Sequence, residues 1–336
     1  MQDPKFTQTI LDWYAENARD LPWRRTKDPY AIWISEIILQ QTRIAQGRAY
    51  WERFMQRFPT VEDLAEASED EVLRAWQGLG YYSRARNLHA AARQIQAAGR
   101  FPDTLEGLRA LKGVGDYTAA AIGSIAFGLH AAVVDGNVYR VLARYYGREE
   151  PVGTNAARKT FTELATELLP EGQAGTFNQA MMDFGALQCI PAAPDCSACP
   201  LAKSCTAHKG GRVAGLPVKQ ASAAVKTRWF SYIYLRCQGE TAIRKRPAGD
   251  IWQGLWEPVL IERGAPDQPL DWPADGLRLL RQGVKHQLTH RTIYADFYLQ
   301  ETKDKPALPA GYRWIPEKEL EQYAKSRLFE IMLDSR

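Results

Sequence analysis

The sequence predicts a mainly α N-terminal region followed by a smaller α+β domain. Apolar residues recur at helical spacing almost throughout the first 188 residues. After residue 206 this periodicity stops, a Gly-, Ala- and Lys-rich stretch follows, and β-type runs such as 229–235 come next. A chain of 336 residues is long enough for two domains. We place these domains at 1–206 and 227–336, joined by a linker at 207–226.

Helix signals occur in order along the N-terminal region. Asp28-Pro29 is an N-cap followed by proline at the first helical position, which predicts a helix over 30–42. Ser68 and Glu71 form a capping box that opens a helix carrying Val72, Leu73 and Trp76. Further helices are expected at 82–98, 104–111, 117–128, 135–146, 155–168 and 174–188.

The C-terminal region shows the alternation and aromatic enrichment that are typical of strands. Strands are expected at 229–235, 241–245 and 292–299, and a helix is expected at 316–324. Strands followed by a helix indicate an α+β domain.

The composition is that of a folded protein without a membrane segment. Hydrophobic residues make up 45% of the chain and charged residues 24%, which excludes a wholly disordered chain. No apolar run reaches the roughly 18 residues that a spanning helix requires, and residues 1–5 lack the apolar stretch of a secretory signal. We therefore expect a cytoplasmic protein with no membrane partner. The formal net charge of +4 is too small to indicate a nucleic-acid partner by itself.

Four of the five cysteines are crowded into one loop, 189–205, whereas Cys237 stands alone. Without an export signal, crowded thiols indicate metal binding rather than disulfides. Four thiolates can ligate a structural zinc ion or a [4Fe–4S] cluster, and both remain open. The interleaved prolines and the single compact loop favour the cluster, since a zinc ribbon usually has two separated C-x2-C pairs. The candidate ligands, with spacing C-x6-C-x2-C-x5-C, are Cys189, Cys196, Cys199 and Cys205.

A glycine-rich turn at 111–118 joins two predicted helices. Gly113 and Gly115 turn the chain tightly, and backbone N–H groups at the start of the second helix then point outward. Such a turn can bind a phosphate oxygen of DNA. The alternative is an ordinary helix–helix turn with a glycine C-cap.

Two carboxylates are candidates for acid–base chemistry. Glu36 lies among apolar residues, where desolvation would raise its pKa and suit it to act as a general acid. Asp135 follows apolar residues and precedes a predicted helix. Taken singly, Glu36 could instead lie on a solvent face and Asp135 could be only an N-cap.

Together these motifs resemble the helix-hairpin-helix DNA glycosylases with an iron–sulfur loop, the endonuclease III superfamily. The resemblance is strongest to its MutY (adenine DNA glycosylase) branch and extends from Phe6 to His208, then continues weakly to the end. The matching segments are 21–24, 35–42, 78–88, 111–120, 135–138, 177–186 and the four cysteines.

The resemblance implies roles for the residues of the helical region. Glu36 would protonate adenine N7, Asp135 would stabilise or trap the sugar cation, and Tyr117 would hydrogen-bond in the site, with Asp183 supporting it. Arg19, Trp23 and Arg24 would line the adenine pocket. The remaining residues implied to contact DNA are Leu39, Gln41, Tyr81, Gly113 and Gly115.

Tyr117 distinguishes the branches of this superfamily. Bifunctional members such as endonuclease III carry a Schiff-base lysine at this position, and without that amine strand cleavage should be weak or absent. The resemblance therefore implies a monofunctional glycosylase with a [4Fe–4S] cluster. The alternatives are an endonuclease III-like glycosylase and lyase acting on damaged pyrimidines, and a non-catalytic DNA-binding module.

The C-terminal region resembles the MutT-like (Nudix-type) domain of the same branch. It lacks a Nudix box, so pyrophosphatase activity is not expected. The segment containing Leu288, Thr289 and His290 aligns with a loop that reads 8-oxoguanine, where Phe-Ser-His is usual. The implied partner is duplex DNA with 8-oxoguanine:A or G:A mispairs. We expect a nucleoid-associated monomer of bacterial type, and the sequence identifies no protein partner.

Overall fold

The computed structural model describes residues 3–220 and 225–336. These residues form two compact units. The first unit consists of the described residues within 1–65 and 90–221, and the second of 66–89 and those within 222–336. The sequence-based division near residue 206 differs from this grouping at 66–89, because a local pattern does not reveal which distant segment a helix packs against.

Helices occur at every position for which the sequence predicted one within 82–188. The helices of the described residues are α1 (Pro4–Asn17), α2 (Pro29–Leu39), α3 (Ile44–Arg57), α4 (Val61–Glu66), α5 (Glu69–Ala75), α6 (Ser83–Ala98), α7 (Leu105–Ala110), α8 (Asp116–Phe127), α9 (Gly136–Tyr146), α10 (Asn155–Glu167), α11 (Ala174–Leu187), α12 (Thr206–Lys209) and α13 (Arg327–Leu333).

The capping signals act as predicted. The Asp28 carboxylate accepts hydrogen bonds from the backbone N–H groups of Tyr30 and Ala31, at 3.0 and 3.2 Å. Helix α2 ends at Leu39 rather than at 42, because Gln41 has a φ of 58°, which is incompatible with continuing a right-handed helix. Ser68 and Glu71 form the predicted capping box of α5.

One hydrophobic cluster of the first unit is formed mainly by α1, α9, α10 and α11. Phe6, Phe161, Phe177 and Phe184 are fully or almost fully buried in it. Burying a side chain of this size stabilises the fold by about 1.5–3 kcal/mol. Helices α9 and α11 approach closely at Gly185, where a Cβ atom would lie only 2.6–3.0 Å from atoms of Asn137. Gly185 is therefore required for the packing of α9, which begins after Asp135, against α11, which carries Asp183.

Part of the predicted linker 207–226 packs against this core. Leu216 is buried, and the Val152 N–H donates to the Val218 carbonyl at 2.9 Å. Residues 206–209 form α12, and a 3₁₀ turn follows at Val213–Gly215. Residues 221–224 of the predicted linker lie outside the described residues.

The second unit is built on a mixed β-sheet. Its strands are β1 (Lys226–Cys237), β2 (Glu240–Lys245), β3 (Trp256–Glu257), β4 (Val259–Arg263), β5 (Leu277–Gln287), β6 (Arg291–Thr302) and β7 (Arg313–Pro316). The order is β3-β2-β1-β6-β5, with β4 paired to β1 and β7 to β2. β1 and β6 are parallel, from Lys226 opposite Arg291 to Cys237 opposite Thr302.

The fold class predicted from the sequence, a helical region followed by an α+β domain, is confirmed. The predicted strands lie in β1, β2 and β6, whereas β3, β4, β5 and β7 were not predicted. Exposed basic residues interrupt the apolar pattern of β5. The helix predicted at 316–324 is wrong in type, because Glu317–Gln322 is a 3₁₀ helix. No helix of the described residues is long and apolar enough to span a membrane.

Candidate active site

A cavity of about 520 Å³ opens between the helices of the first unit. Its volume is within the range of small-molecule sites in proteins. Eight of the predicted site residues lie on its wall: Arg19, Trp23, Arg24, Glu36, Leu39, Gln41, Tyr117 and Asp135. The structure therefore brings together side chains that are up to 116 positions apart in the sequence.

Glu36 projects into this cavity from the middle of α2. Its side chain is only 9% exposed because the surrounding positions of the helix are apolar and buried. Burial raises the pKa of Glu36 to about 7, and the neighbouring Asp135 contributes in the same direction. The Tyr117 hydroxyl and the Arg24 guanidinium oppose that rise. A substantial fraction of Glu36 is therefore protonated at neutral pH.

Tyr117 lies in the first turn of α8, immediately after the glycine turn. Its side chain hydrogen-bonds to Glu36, and its hydroxyl also lies 3.5 Å from the Met182 sulfur. Burial, together with the negative charges of Glu36 and Asp135, raises the pKa of Tyr117 well above its ordinary value. The phenol is therefore neutral and can donate to the Glu36 carboxylate.

Asp135 is the N-cap of α9, as the sequence pattern allowed, but it also faces the cavity. Its carboxylate accepts hydrogen bonds from the Asn137 and Val138 backbone N–H groups, at 2.9 and 2.8 Å, and from the Asn137 side-chain amide at 2.7 Å. Burial raises its pKa, although these bonds act in the opposite direction. A helix N-terminus stabilises negative charge, so the capping and chemical functions are compatible in one side chain.

Asp183 is buried behind the cavity rather than on its wall. Arg24 donates to its two oxygens at 2.6 and 2.8 Å, and the Arg19 Nε atom donates at 2.8 Å. Burial alone would raise the pKa of Asp183, but the hydrogen bonds from Arg24 and Arg19 hold it below its ordinary value. Asp183 therefore fixes both guanidinium groups, and it positions residues of the cavity wall.

Sequence reasoning did not single out several residues that shape this site. Asn178 is buried in α11; its amide donates to Ser124 Oγ and to the Ala131 carbonyl at 2.9 and 2.8 Å, and it accepts from the Val133 N–H at 3.0 Å. These bonds hold the segment that leads to Asp135. A polar residue inside an apolar helical run was the available signal. Gln40, Asn137, Gln179 and Met182 also line the cavity.

The predicted phosphate-binding turn connects α7 to α8. Gly113 has a φ of 79°, a conformation that glycine adopts without strain. Gly115 is the N-cap of α8 and has no side chain that could cap the helix. Nothing lies within 4 Å of the position that a Gly115 Cβ atom would occupy, so the backbone there is open to a close approach.

The cysteine loop packs against α9. The Arg144 guanidinium lies 3.4 Å from the Cys189 sulfur and donates to the Ile190 and Pro191 carbonyls. Burial, with the neighbouring Cys189, Cys196 and Cys205, raises the pKa of Cys199 to about 11. In this structure no set of three or more His, Cys, Asp or Glu residues, among those described, is arranged to hold a metal ion. Four adjacent thiols beside arginines nevertheless suit an anionic thiolate-ligated group.

The predicted recognition residues lie in the second unit. Leu288, Thr289 and His290 form the turn between β5 and β6; Leu288 packs against the core, whereas Thr289 and His290 are exposed. Tyr81 is 45% exposed, has a φ of 48°, and its hydroxyl hydrogen-bonds to Thr289. Two residues that sequence reasoning placed in different domains are therefore in contact within one unit.

Comparison with family models identifies two regions of the chain. Residues 34–167 match the HhH-GPD superfamily of base excision DNA repair proteins, and residues 231–335 match the NUDIX domain. The first match contains Glu36, Tyr117 and Asp135, and the second contains the 288–290 turn.

The chain is similar to adenine DNA glycosylases from bacteria and animals. That of Buchnera aphidicola from Acyrthosiphon pisum is 36% identical over 254 residues, which cover 75% of this chain and 73% of the relative. The adenine DNA glycosylase of Buchnera aphidicola from Baizongia pistaciae is 33% identical over 300 residues, which cover 86% of this chain and 84% of the relative. The human protein is 44% identical over 215 residues, covering 61% of this chain and 39% of the human one.

Solved structures are similar over the N-terminal part. A thermostable thymine-DNA glycosylase superposes with a TM-score of 0.57 at 35% identity, covering 61% of this chain and 96% of that structure. An endonuclease III–DNA complex gives a TM-score of 0.53 at 23% identity, covering 63% and 99%, which shows a shared fold.

Proposed function

This chain belongs to the adenine DNA glycosylase family, and we propose that it excises adenine opposite 8-oxoguanine or guanine in duplex DNA. It is a DNA N-glycosylase of base excision repair. The observation that carries the proposal is the pairing of Glu36, whose pKa is raised to about 7, with Asp135 on the wall of one cavity. Two carboxylates in different protonation states are what glycosidic bond cleavage requires.

Glu36 is the general acid. Adenine is a poor leaving group until a ring nitrogen is protonated, and a neutral carboxylic acid inside the cavity can deliver that proton to N7. The Tyr117 hydrogen bond holds the Glu36 side chain in place and stabilises its carboxylate after the proton has left. The adenine must leave the base stack to reach this acid, which costs a few kcal/mol.

Asp135 stabilises the positive charge that develops on the sugar. Its three N–H donors fix the carboxylate at the N-terminus of α9, so it needs no reorganisation when the bond breaks. It either remains an ion beside the cation or forms a transient bond with C1′ before water attacks. Both routes end in hydrolysis with release of free adenine.

Arg19, Arg24 and Trp23 shape the pocket for the base. Asp183 holds the two guanidinium groups, and Trp23 is buried with its ring edge-to-face against Trp51 at 5.7 Å. A rigid wall of planar groups suits a flat purine. Leu39 and Gln41 follow Glu36 at the end of α2, where we place contacts to the DNA around the extruded base.

The endonuclease III-like alternative is not favoured. The chain's relatives are adenine DNA glycosylases, and Tyr117 provides no amine at the position where the lyases carry their Schiff-base lysine. The Gly113–Gly115 turn supplies the backbone N–H groups that we expect to bind a DNA phosphate.

The four cysteines of the loop are the residues that would hold a [4Fe–4S] cluster. When bound, such a group would join the four thiolates and stabilise the loop. Support comes from the four adjacent thiols and from Arg140 and Arg144, which contact Cys189. Arg140 also donates to the Asn137 side chain at 2.8 Å, which links the loop to the residue that holds Asp135. Purified protein should absorb broadly near about 400 nm, and Cys237→Ser should retain this absorption.

The second unit reads the base opposite the adenine. Tyr81 matches a wedge residue that fills the gap in the stack, and Thr289 and His290 offer hydrogen bonds that distinguish 8-oxoguanine from guanine. The contact between Tyr81 and Thr289 supports this assignment, since it joins the wedge to the reading turn. Two or three such bonds, each worth about 1 kcal/mol, change the preference by one or two powers of ten.

One assay tests the proposed reaction. A duplex with adenine opposite 8-oxoguanine is incubated with the protein and then treated with alkali. Cleavage at the adenine that depends on alkali supports a monofunctional adenine glycosylase. Cleavage without alkali would indicate a lyase, and binding without cleavage would indicate a non-catalytic module; either result would overturn the proposal.

A further inference from the structure

One carboxylate of the second unit, Asp250, accepts hydrogen bonds from three arginines. Arg228 donates to both of its oxygens at 2.6 and 2.8 Å, Arg246 donates at 2.5 Å, and Arg291 donates at 2.9 Å. Its own loop adds the Ile251 N–H at 2.7 Å. Burial alone would raise the pKa of Asp250. The hydrogen bonds from Arg228 and from the Ile251 N–H, together with the charges of Arg228 and Arg246, instead hold this pKa well below its ordinary value. Asp250 is therefore ionised at any working pH.

The first connection from Asp250 runs to the turn that carries Thr289. Arg291 is the first residue of β6 and directly follows His290. Its carbonyl accepts from the Leu288 N–H at 2.8 Å, which closes the turn. A group that fixes Arg291 therefore also restrains the turn on which Thr289 and His290 are exposed.

The second connection runs to the segment that carries Tyr81. Arg246 closes the loop 247–254 by donating from Nε to the Ile251 carbonyl at 2.9 Å and by backbone bonds to Gly254 and Leu255. The carbonyl of Gln253, in that loop, accepts from the Arg86 side chain in α6. Asp250 is thus connected to both segments. It bonds to Arg291, which closes the turn carrying Thr289, and to Arg246, which closes the loop that contacts α6 just after Tyr81.

We propose that Asp250 is a positioning residue for opposite-base specificity, which acts by fixing the 288–290 turn relative to Tyr81. This inference rests on the proposed reading of the opposite base by the second unit. Asp250 does not contact the DNA. It restrains the 288–290 turn through Arg291 and the segment that carries Tyr81 through the 247–254 loop. These two segments meet at the Tyr81–Thr289 hydrogen bond.

The test measures single-turnover excision in the full chain on two duplexes, with adenine opposite 8-oxoguanine or opposite guanine. Arg291→Gln removes the connection to the turn but leaves Asp250 paired with Arg228 and Arg246. We expect the ratio of the two rates to fall about fivefold, with the rate on the guanine duplex and the melting temperature unchanged. Asp250→Asn should lower the ratio at least as much, and the double variant should lower it no further than Asp250→Asn alone, because the connection through Arg291 is already broken in that variant.

A matched control is available in the same sheet. Arg236 of β1 and Glu301 of β6 form a partly exposed ion pair at 3.0 Å, at the end of these strands remote from the turn, and Arg236 also pairs with Glu317. Arg236→Gln and Glu301→Gln should leave the ratio unchanged. If weakening the sheet in general lowered the ratio, the Arg236 and Glu301 variants would lower it as much as the Asp250 and Arg291 variants do. That result would overturn the inference.

Thr289→Ala distinguishes this inference from the function on which it rests. One outcome is that Thr289→Ala lowers the ratio while Arg291→Gln and Asp250→Asn do not. In that case the proposed positioning role of Asp250 is wrong, and recognition of the opposite base by the 288–290 turn is still supported. If Thr289→Ala, alone and with His290→Ala, leaves the ratio intact, the second unit does not read the opposite base, and both proposals fail.

Discussion

The surroundings of Glu36 and Asp183 differ sharply, although both carboxylates are buried in the first unit. Glu36 is 9% exposed and Asp183 is 0% exposed, so burial disfavours the ionised form of each. Two arginines donate directly to Asp183 and hold its pKa below the ordinary value. Glu36 has a tyrosine hydroxyl and a more distant arginine, and its pKa is raised to about 7.

This difference shows that the depth of burial does not decide what a buried carboxylate can do. The decisive factor is the number of cationic donors within hydrogen-bond reach. Asp183 remains ionised and orients two guanidinium groups, whereas Glu36 retains a transferable proton.

The largest effect is expected for Glu36→Gln. The amide cannot deliver a proton, so single-turnover excision should fall by about three orders of magnitude, while binding to the mispaired duplex is retained. The amide should not reduce the thermal stability at pH 8, because at that pH the native side chain is an ionised, poorly compensated carboxylate. Substantial excision by this variant at neutral pH would remove Glu36 from the role of acid.

Asp135→Asn should have the next largest effect. Removing the charge beside the developing sugar cation should slow excision by about two orders of magnitude. The asparagine can still cap α9, so melting temperature should change little. Wild-type rates in this variant would show that Asp135 serves only as a helix cap.

Asp183→Asn should affect stability more than chemistry. Removing one partner from a buried ion pair costs about 3 kcal/mol, and excision should fall about tenfold as Arg19 and Arg24 lose their alignment. Because the pKa of Asp183 is lowered in the folded state, its contribution is present at neutral pH and lost in acid. The stability of wild type and variant, measured by denaturant titration, should therefore converge as the pH falls below about 4. If the difference in unfolding free energy between wild type and variant stayed constant as the pH fell, the ion pairs of Asp183 would not be the source of its stabilising effect.

The smallest effect is expected for Tyr117→Phe, and it appears in the pH profile. Glu36 must be protonated, so excision should decline as the pH rises above about 7. The Tyr117 hydrogen bond lowers the pKa of Glu36, so its removal should move this decline to higher pH. At pH 8 the protonated fraction of Glu36, and with it the rate of excision, should therefore be higher in the variant than it would be without this shift. A shift to lower pH would show that Tyr117 favours the neutral acid instead.

The helices and the candidate acid were accessible from the sequence because their signals are local. The Asp28 cap, the Ser68 capping box and the apolar surroundings of Glu36 are each contained within a few positions. The ion pairs of Arg19 and Arg24 with Asp183 could not be predicted from a local pattern, since more than 150 residues separate these arginines from the carboxylate. The roles of Asn178 and Asp250 were missed for the same reason, because each depends on partners from several elements.

The grouping of 66–89 with the second unit was also beyond sequence reasoning. Helix α5 shows an ordinary amphipathic pattern that predicts a buried face but not what covers it. In the structure Asp70 pairs with Lys245 at 2.8 Å, and the Gln77 side chain accepts from the Lys325 N–H at 3.1 Å. These partners lie on a β-strand and next to the last helix, far along the chain.

This grouping has a consequence for biosynthesis. The segment 66–89 leaves the ribosome about 240 residues before α13, which at usual elongation rates corresponds to roughly 12–50 s. Until residue 254 has been made, the buried side chain of Leu73 lacks the loop residue Gly254, which lies against it in the finished fold. The helices of the first unit can form during this interval, whereas Gln77 meets its partner Lys325 only when translation is almost complete. Chaperone dependence and sensitivity to premature termination should therefore be concentrated in 66–89, although its own helix signals are strong.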